Sequence, residues 1–118
     1  MPGMRRLAAV LAALAAWSAG AAEPAVTGTL RVDYFHTGGQ GVEIFAVDQV
    51  VLEPLPWPGH PARTVEVAET GSYRFEVRSA DGTLVFSRGF SSIFGEWVTT
   101  AEAAASHRTF HESLRFPV

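Results

Sequence analysis

Residues 73–90 read Tyr73-Arg74-Phe75-Glu76-Val77-Arg78-Ser79-Ala80-Asp81-Gly82-Thr83-Leu84-Val85-Phe86-Ser87-Arg88-Gly89-Phe90. Tyr73, Phe75 and Val77 alternate with Arg74, Glu76 and Arg78. A period of two marks a strand with one buried face. Asp81-Gly82 follows, and this pair between two apolar alternating runs is a strong hairpin signal. Residues 83–90 are then the return strand. The same period recurs outward from this hairpin. Leu30, Val32 and Tyr34 alternate with Arg31 and Asp33; residues 50–55 (VVLEPL) and 64–69 (TVEVAE) read as two more strands. Residues 109–116 (TFHESLRF) end the series, with Phe110, Leu114 and Phe116 on one side. Six or seven short strands separated by turns predict an all-β fold, a small antiparallel β-sandwich.

One short helix is expected near 100–106. Thr99 stands at a cap position with Glu102 three residues later, a capping-box spacing, and three alanines follow. Residues 53–61 (EPLPWPGHP) carry four prolines and form an extended, rigid connection. His36-Thr37-Gly38-Gly39-Gln40-Gly41 lacks the Gly-Lys-Ser/Thr of a phosphate loop and reads as a hairpin turn.

The first 22 residues have the anatomy of a secretory leader. Arg5 and Arg6 give a basic start, residues 7–17 are an 11-residue apolar helical run, and Ser18-Ala19-Gly20-Ala21-Ala22 offers small residues for cleavage. The run is short of the about 20 residues that span a bilayer. Removing 22 of the 118 residues leaves a domain of 96, residues 23–118, secreted or periplasmic, with no membrane anchor after cleavage. Seven arginines then face twelve acids, a net charge of −5, which excludes nucleic acid as a partner. There is no cysteine, so no disulfide supplements the core.

His111-Glu112-Ser113-Leu114-Arg115 resembles the first half of the zinc-peptidase pattern His-Glu-x-x-His. That pattern needs a helix, with two histidines four apart on one face. Here Arg115 replaces the second histidine, and the alternation of Phe110, Leu114 and Phe116 demands a strand. A strand sends His111 and Glu112 to opposite faces. The expected reading is an ordinary strand with polar residues on its outer side, and no metal ligand. His107 and His111 keep a spacing of four, but the helix should end between them. His36 and His60 read as surface or turn residues. No serine has a Gly-x-Ser-x-Gly setting. Catalytic, cofactor-binding and metal-ligating residues are therefore not assigned.

Residues 88–97 (RGFSSIFGEW) concentrate aromatics between two glycines, which predicts a bent segment. Phe90, Phe94 and Trp97 then form an aromatic patch, joined by Trp57. Arg88 and Glu96 are expected as a buried pair within it. Aromatic residues of this kind are enriched at interface centres.

Residues 31–39 (RVDYFHTGG), 43–59 (EIFAVDQVVLEPLPWPG), 73–97 (YRFEVRSADGTLVFSRGFSSIFGEW) and 109–117 (TFHESLRFP) together resemble the N-terminal domain of the IgA-peptidase family of secreted zinc metallopeptidases. The resemblance covers Thr29 to Pro117. It implies a β-sandwich that is not the catalytic part, with the zinc site in a peptidase domain that this chain does not include. On this reading the chain is an accessory domain, truncated or stand-alone, and zinc belongs only to the absent domain. Its partner is a peptidase domain in cis or in trans. Arg88, Phe90, Phe94, Glu96, Trp97, Phe110 and Phe116 are the candidate interface. The alternative is a stand-alone secreted module that binds carbohydrate or a surface protein.

Overall fold

A computed structural model describes the backbone of residues 5–9 and all of residues 28–68 and 70–118. The leader helix expected over residues 1–22 lies outside the described residues. The short described piece within that range, β1 (Arg5–Ala9), is extended. The expected all-β class holds. Among the described residues, the other strands are β2 (Gly28–Gly39), β3 (Val42–Pro56), β4 (Tyr73–Arg78), β5 (Leu84–Phe90) and β6 (Arg108–Pro117), with two short helices, α1 (Ile93–Trp97) and α2 (Glu102–Ala105). The strands form two three-stranded sheets, ordered β1-β4-β5 and β3-β2-β6.

The chain divides into two compact units, and each sheet belongs to one of them. The first unit comprises Met1–Thr27 and Trp57–Phe90. Its centre is the expected hairpin of β4 and β5, antiparallel from Tyr73↔Phe90 to Arg78↔Leu84. The turn closes because Gly82 takes φ +90° and Asp81 accepts from the Thr83 amide at 3.0 Å and from the Ser79 hydroxyl. Those hydrogen bonds, the Ser79 one foremost, pull the Asp81 carboxyl down to about 2. β1 runs parallel to β4, so this sheet is mixed. Tyr73, Phe75, Val77 and Phe86 are buried here, and Phe75 packs on Phe86 with ring centroids 5.6 Å apart.

Over its described residues, 64–68, the run expected as a strand over 64–69 is not one. It makes a single parallel bridge, Val65↔Ser87, closed by Ser87 N to Thr64 O at 2.8 Å and Glu66 N to Ser87 O at 3.2 Å. Glu66 then turns its carboxylate onto the Gly89 amide and the Thr70 hydroxyl, which diverts the chain from further pairing.

The second unit comprises Gly28–Pro56 and Ser91–Val118. β2 is its central strand, antiparallel to β3 on one side and to β6 on the other. The expected strand over residues 50–55 is only the far half of β3, which runs 15 residues from the hairpin turn. That turn is where the glycines predicted it: Gly41 sits at φ +80°, a left-handed conformation that favours glycine. A bulge between Asp33 and Tyr34 interrupts the long ladder.

Both helices depart from the expectation at their starts. α2 falls inside the expected 100–106, but Ala101 is its N-cap and no side chain caps it. Thr99 and Thr100 instead donate back to the carbonyls of Glu96 and Trp97, each at 2.7 Å, so the capping box does not form. α1 stands where a glycine-bent segment was expected. Ser92 is its N-cap, in extended conformation, and accepts from the Gly95 amide at 3.1 Å.

Candidate functional site

The second unit carries a sealed polar cluster, and the period of two explains how it assembles. On one face of β2 lie Leu30, Val32, Tyr34 and His36, all buried. The matching face of β6 carries Phe110, Glu112, Leu114 and Phe116. The register sets Tyr34 opposite Glu112 and His36 opposite Phe110. β3 places Phe45 opposite His36 and Glu43 opposite Gly38. α1 adds Phe94, and its cap adds Ser92.

Glu112 is the hub. One carboxylate oxygen accepts from the Tyr34 hydroxyl at 2.7 Å. The other accepts from the Ser92 hydroxyl at 2.7 Å and the Phe94 amide at 3.3 Å. The His36 Nδ1 lies 3.2 Å from both oxygens, and its Nε2 lies 2.8 Å from Glu43 Oε1. The ring is 0 % exposed, stacked between Phe45 at 4.2 Å and Phe94 at 4.1 Å. Burial works against the charge on Glu112, but donation from Ser92, Tyr34, His36 and Phe94 outweighs it and holds the carboxyl below its usual range.

Serine, histidine and glutamate within hydrogen-bond reach invite comparison with a nucleophile triad. Three observations oppose that role. Ser92 gives its proton to Glu112 rather than to the imidazole, in the better of its two contacts. Ser92 is 5 % exposed and His36 fully buried, so a substrate does not reach either. The two glutamates stand at opposite nitrogens of one ring and do not converge on a single point. Among the described residues no group of three His, Cys, Asp or Glu is placed to hold a metal ion. The cluster is a clamp: it fastens α1 to three strands through a fully used carboxylate.

These residues correct two sequence expectations. His36 is a core residue, not a surface or turn residue. Glu112 points inward, not to the outer side, because its position falls in the same alternating set as Phe110, Leu114 and Phe116. The outer face receives His111, exposed, 3.1 Å from Asp48 and with its ring 5.0 Å from Phe35. The strand does separate His111 from Glu112. His60 is a turn residue, accepting from the Ala62 amide at 3.0 Å, and His107 is exposed.

A second network lies on the opposite face of the same sheet. Asp33 accepts from Arg31 at 2.8 and 3.0 Å, Gln49 at 2.8 Å and Ser113 at 2.6 Å. The Arg31 guanidinium, then Ser113 and Gln49, hold its carboxyl far below the carboxylate range. Arg115 and Arg31 both reach Glu53, at 2.9 and 3.2 Å.

The residues expected at an interface are distributed between the units. Phe94, Trp97 and Phe110 form one aromatic group, with centroids 5.6 to 6.2 Å apart. Phe94 is fully buried and Phe116 nearly so, which makes both of them core. Trp97 and Phe110 are half-buried, and Glu96 is exposed. Arg88 and Phe90 belong to β5 in the other unit. Phe90 packs on Tyr73 at 5.5 Å. Arg88 is exposed and lies over the rings of Trp57 and Phe86, at 5.5 and 5.4 Å. Since Arg88 and Glu96 are both exposed, they are not the buried pair expected from sequence. Trp57 packs on Phe86, edge-on at 5.6 Å.

No curated protein matches the chain. The family model described as Peptidase M64 N-terminus matches residues 22–118, which agrees with the resemblance carried by the segments between Thr29 and Pro117. The chain therefore belongs to the peptidase M64 N-terminus family.

Proposed function

We propose that this chain is a non-catalytic accessory domain of an exported zinc metallopeptidase. Its work is to fold and to pack on the peptidase domain, in cis or in trans, rather than to cleave. The family match over residues 22–118 carries this reading. The sealed state of the Ser92–His36–Glu112 cluster supports it, since the most enzyme-like grouping among the described residues has no access for substrate. Export rests on the leader anatomy of residues 1–22, and zinc would be held by the peptidase domain.

The test joins two measurements: the sequence of the gene beyond the Val118 codon and of its neighbours, and the intact mass of the native product. A peptidase domain with His-Glu-x-x-His, in frame or encoded alongside, is expected, together with a mature start after Ala21 or Ala22. A product of this chain alone, with no peptidase encoded beside it, would overturn the reading.

A further inference from the structure

We propose that Asp48 guards the open edge of the second unit's sheet: it stops β3 from pairing with β3 of a second copy of the chain. This inference stands apart from the accessory-domain reading. β3 ends the β3-β2-β6 order, and among the described residues it pairs with β2 alone. The outer side of an edge strand carries unpaired N–H and C=O groups, a template for another strand.

The sequence of β3 sharpens that hazard. Phe45-Ala46-Val47-Asp48-Gln49-Val50-Val51-Leu52 has three valines, no proline, no glycine, and Asp48 as its one charge. Without Asp48 it would be a neutral, strand-forming run of the kind that stacks into cross-β assemblies. Val47, Val50 and Leu52 are 66, 42 and 63 % exposed, so the fold does not hide the run.

Asp48 interrupts it in two ways. The first is geometric. Asp33 pairs with Gln49 and Tyr34 with Val47, so Asp48 is the extra residue of the bulge. The inward set changes parity there: Phe45 and Val47 lie opposite His36 and Tyr34, then Val50 and Leu52 lie opposite Val32 and Leu30. A bulge leaves its extra residue unpaired, bends the strand and increases its twist. A regular partner strand therefore does not stay in register along both halves of β3. The second is electrostatic. Two β3 strands paired antiparallel about this midpoint would bring their Asp48 carboxylates together, and like charges directly opposite destabilise a ladder. His111 Nε2, 3.1 Å from the carboxylate, ties the bulge to β6 across β2, though an exposed pair of this kind holds only lightly.

The two ends of β3 carry their own stops. Near the hairpin turn Glu43 points its charge inward, 2.8 Å from His36 Nε2. At the far end Pro54 and Pro56 have no N–H to offer. Asp48 stands between these ends, in the stretch that neither protects.

The probe is the chain itself, over a concentration series. Deletion of Asp48 removes bulge and charge together and leaves the other side chains of β3 on their faces. Asp48→Asn keeps the chain length and removes only the charge. Sedimentation velocity and thioflavin T fluorescence read association, and circular dichroism reads folding, each beside the wild type. The deletion should associate at a roughly tenfold lower concentration than the wild type, with Asp48→Asn between the two. Adding Val47→Lys to the deletion should restore wild-type behaviour, because a lysine on an edge opposes strand addition. A folded deletion variant that associates no more than the wild type overturns the proposal, as does association that Val47→Lys leaves unchanged. Should the deletion not fold, Asp48→Val decides, since it keeps the chain length and exchanges the charge for a strand former. Raised association then supports the guard, and unchanged association overturns it. A wild-type dimer that Val47→Lys alone dissociates also overturns it, because the edge is then in use rather than guarded.

Discussion

Glu112→Ala should be the most damaging single change in the second unit. The carboxylate accepts from Tyr34, Ser92 and the Phe94 amide and faces the His36 ring, and its side chain is only 9 % exposed. Truncation removes an acceptor that the Tyr34 and Ser92 hydroxyls and the Phe94 amide share in a buried site. An orphaned buried donor costs about 1–3 kcal/mol, and losses within one network are not additive. Breaking a buried hydrogen-bond network is among the large single-site losses, about 3–5 kcal/mol in total, which bounds the effect. A domain of this size has roughly 5–15 kcal/mol to lose. With a urea m-value of about 1–3 kcal/mol/M, the midpoint should fall by more than about 1 M. Urea unfolding followed by tryptophan fluorescence reads it directly, since Trp97 packs on Phe94. The same group sets a pH dependence. Its folded carboxyl lies below its ordinary value of 4.5, so its stabilisation is complete above that value and fades as pH falls below it. Glu112→Ala should therefore flatten the acid limb of the stability curve. A midpoint shift under about 0.3 M, with an unchanged acid limb, would refute the clamp.

The remaining predictions concern its neighbours. Ser92→Ala removes the cap of α1 and one donor to Glu112, and should cost about 1–2 kcal/mol, seen as a Tm lower by roughly 4–16 °C. Phe94→Ala empties a fully buried site against His36 and should cost about 3–5 kcal/mol in denaturant unfolding, whereas Glu96→Ala, exposed, should stay within about 0.5 kcal/mol. A loss of partner binding with Phe94→Ala would thus report unfolding, not docking. Gly41→Ala meets no atom within 4 Å and should cost only the left-handed backbone, about 1–2 kcal/mol. Gly38→Ala adds a clash with the Val42 carbonyl and should abolish soluble expression, with Gly41→Ala as the expressing control.

The strands were legible because period two is a direct image of a half-buried sheet: Tyr73, Phe75 and Val77 are buried as their alternation demands. The hairpins were legible because Asp81-Gly82 and Gly38-Gly39-Gln40-Gly41 carry the chemistry of tight turns. Glu112 was misread for a physical reason. A glutamate between phenylalanine and leucine is normally solvated, and its burial becomes affordable only through Tyr34, Ser92 and His36, which lie 78, 20 and 76 residues away. Local pattern does not encode those partners. The run at 64–69 failed in the opposite sense: among its described residues, 64–68, a good alternating pattern offers one bridge, at Val65. α1 escaped notice because Gly95 masks the helix, while Ser92 supplies the cap that starts it.

The chain order of the second unit has a consequence for its birth. Its two pieces are separated in sequence by Trp57–Phe90. The β2–β3 hairpin joins neighbours and can close early. The β2–β6 ladder must wait for a strand made more than sixty residues after the turn, and such distant pairings form slowly. Until Arg108–Pro117 leaves the ribosome, β2 has an open edge and Leu30, Val32 and Tyr34 lack their partners on β6. Glu112 lies on this late ladder, so the clamp closes only when β6 pairs with β2. A product cut even ten residues short would keep the hairpin and lose the closure. It would present to a quality-control protease an unpaired apolar strand, the ordinary mark of an unfinished protein.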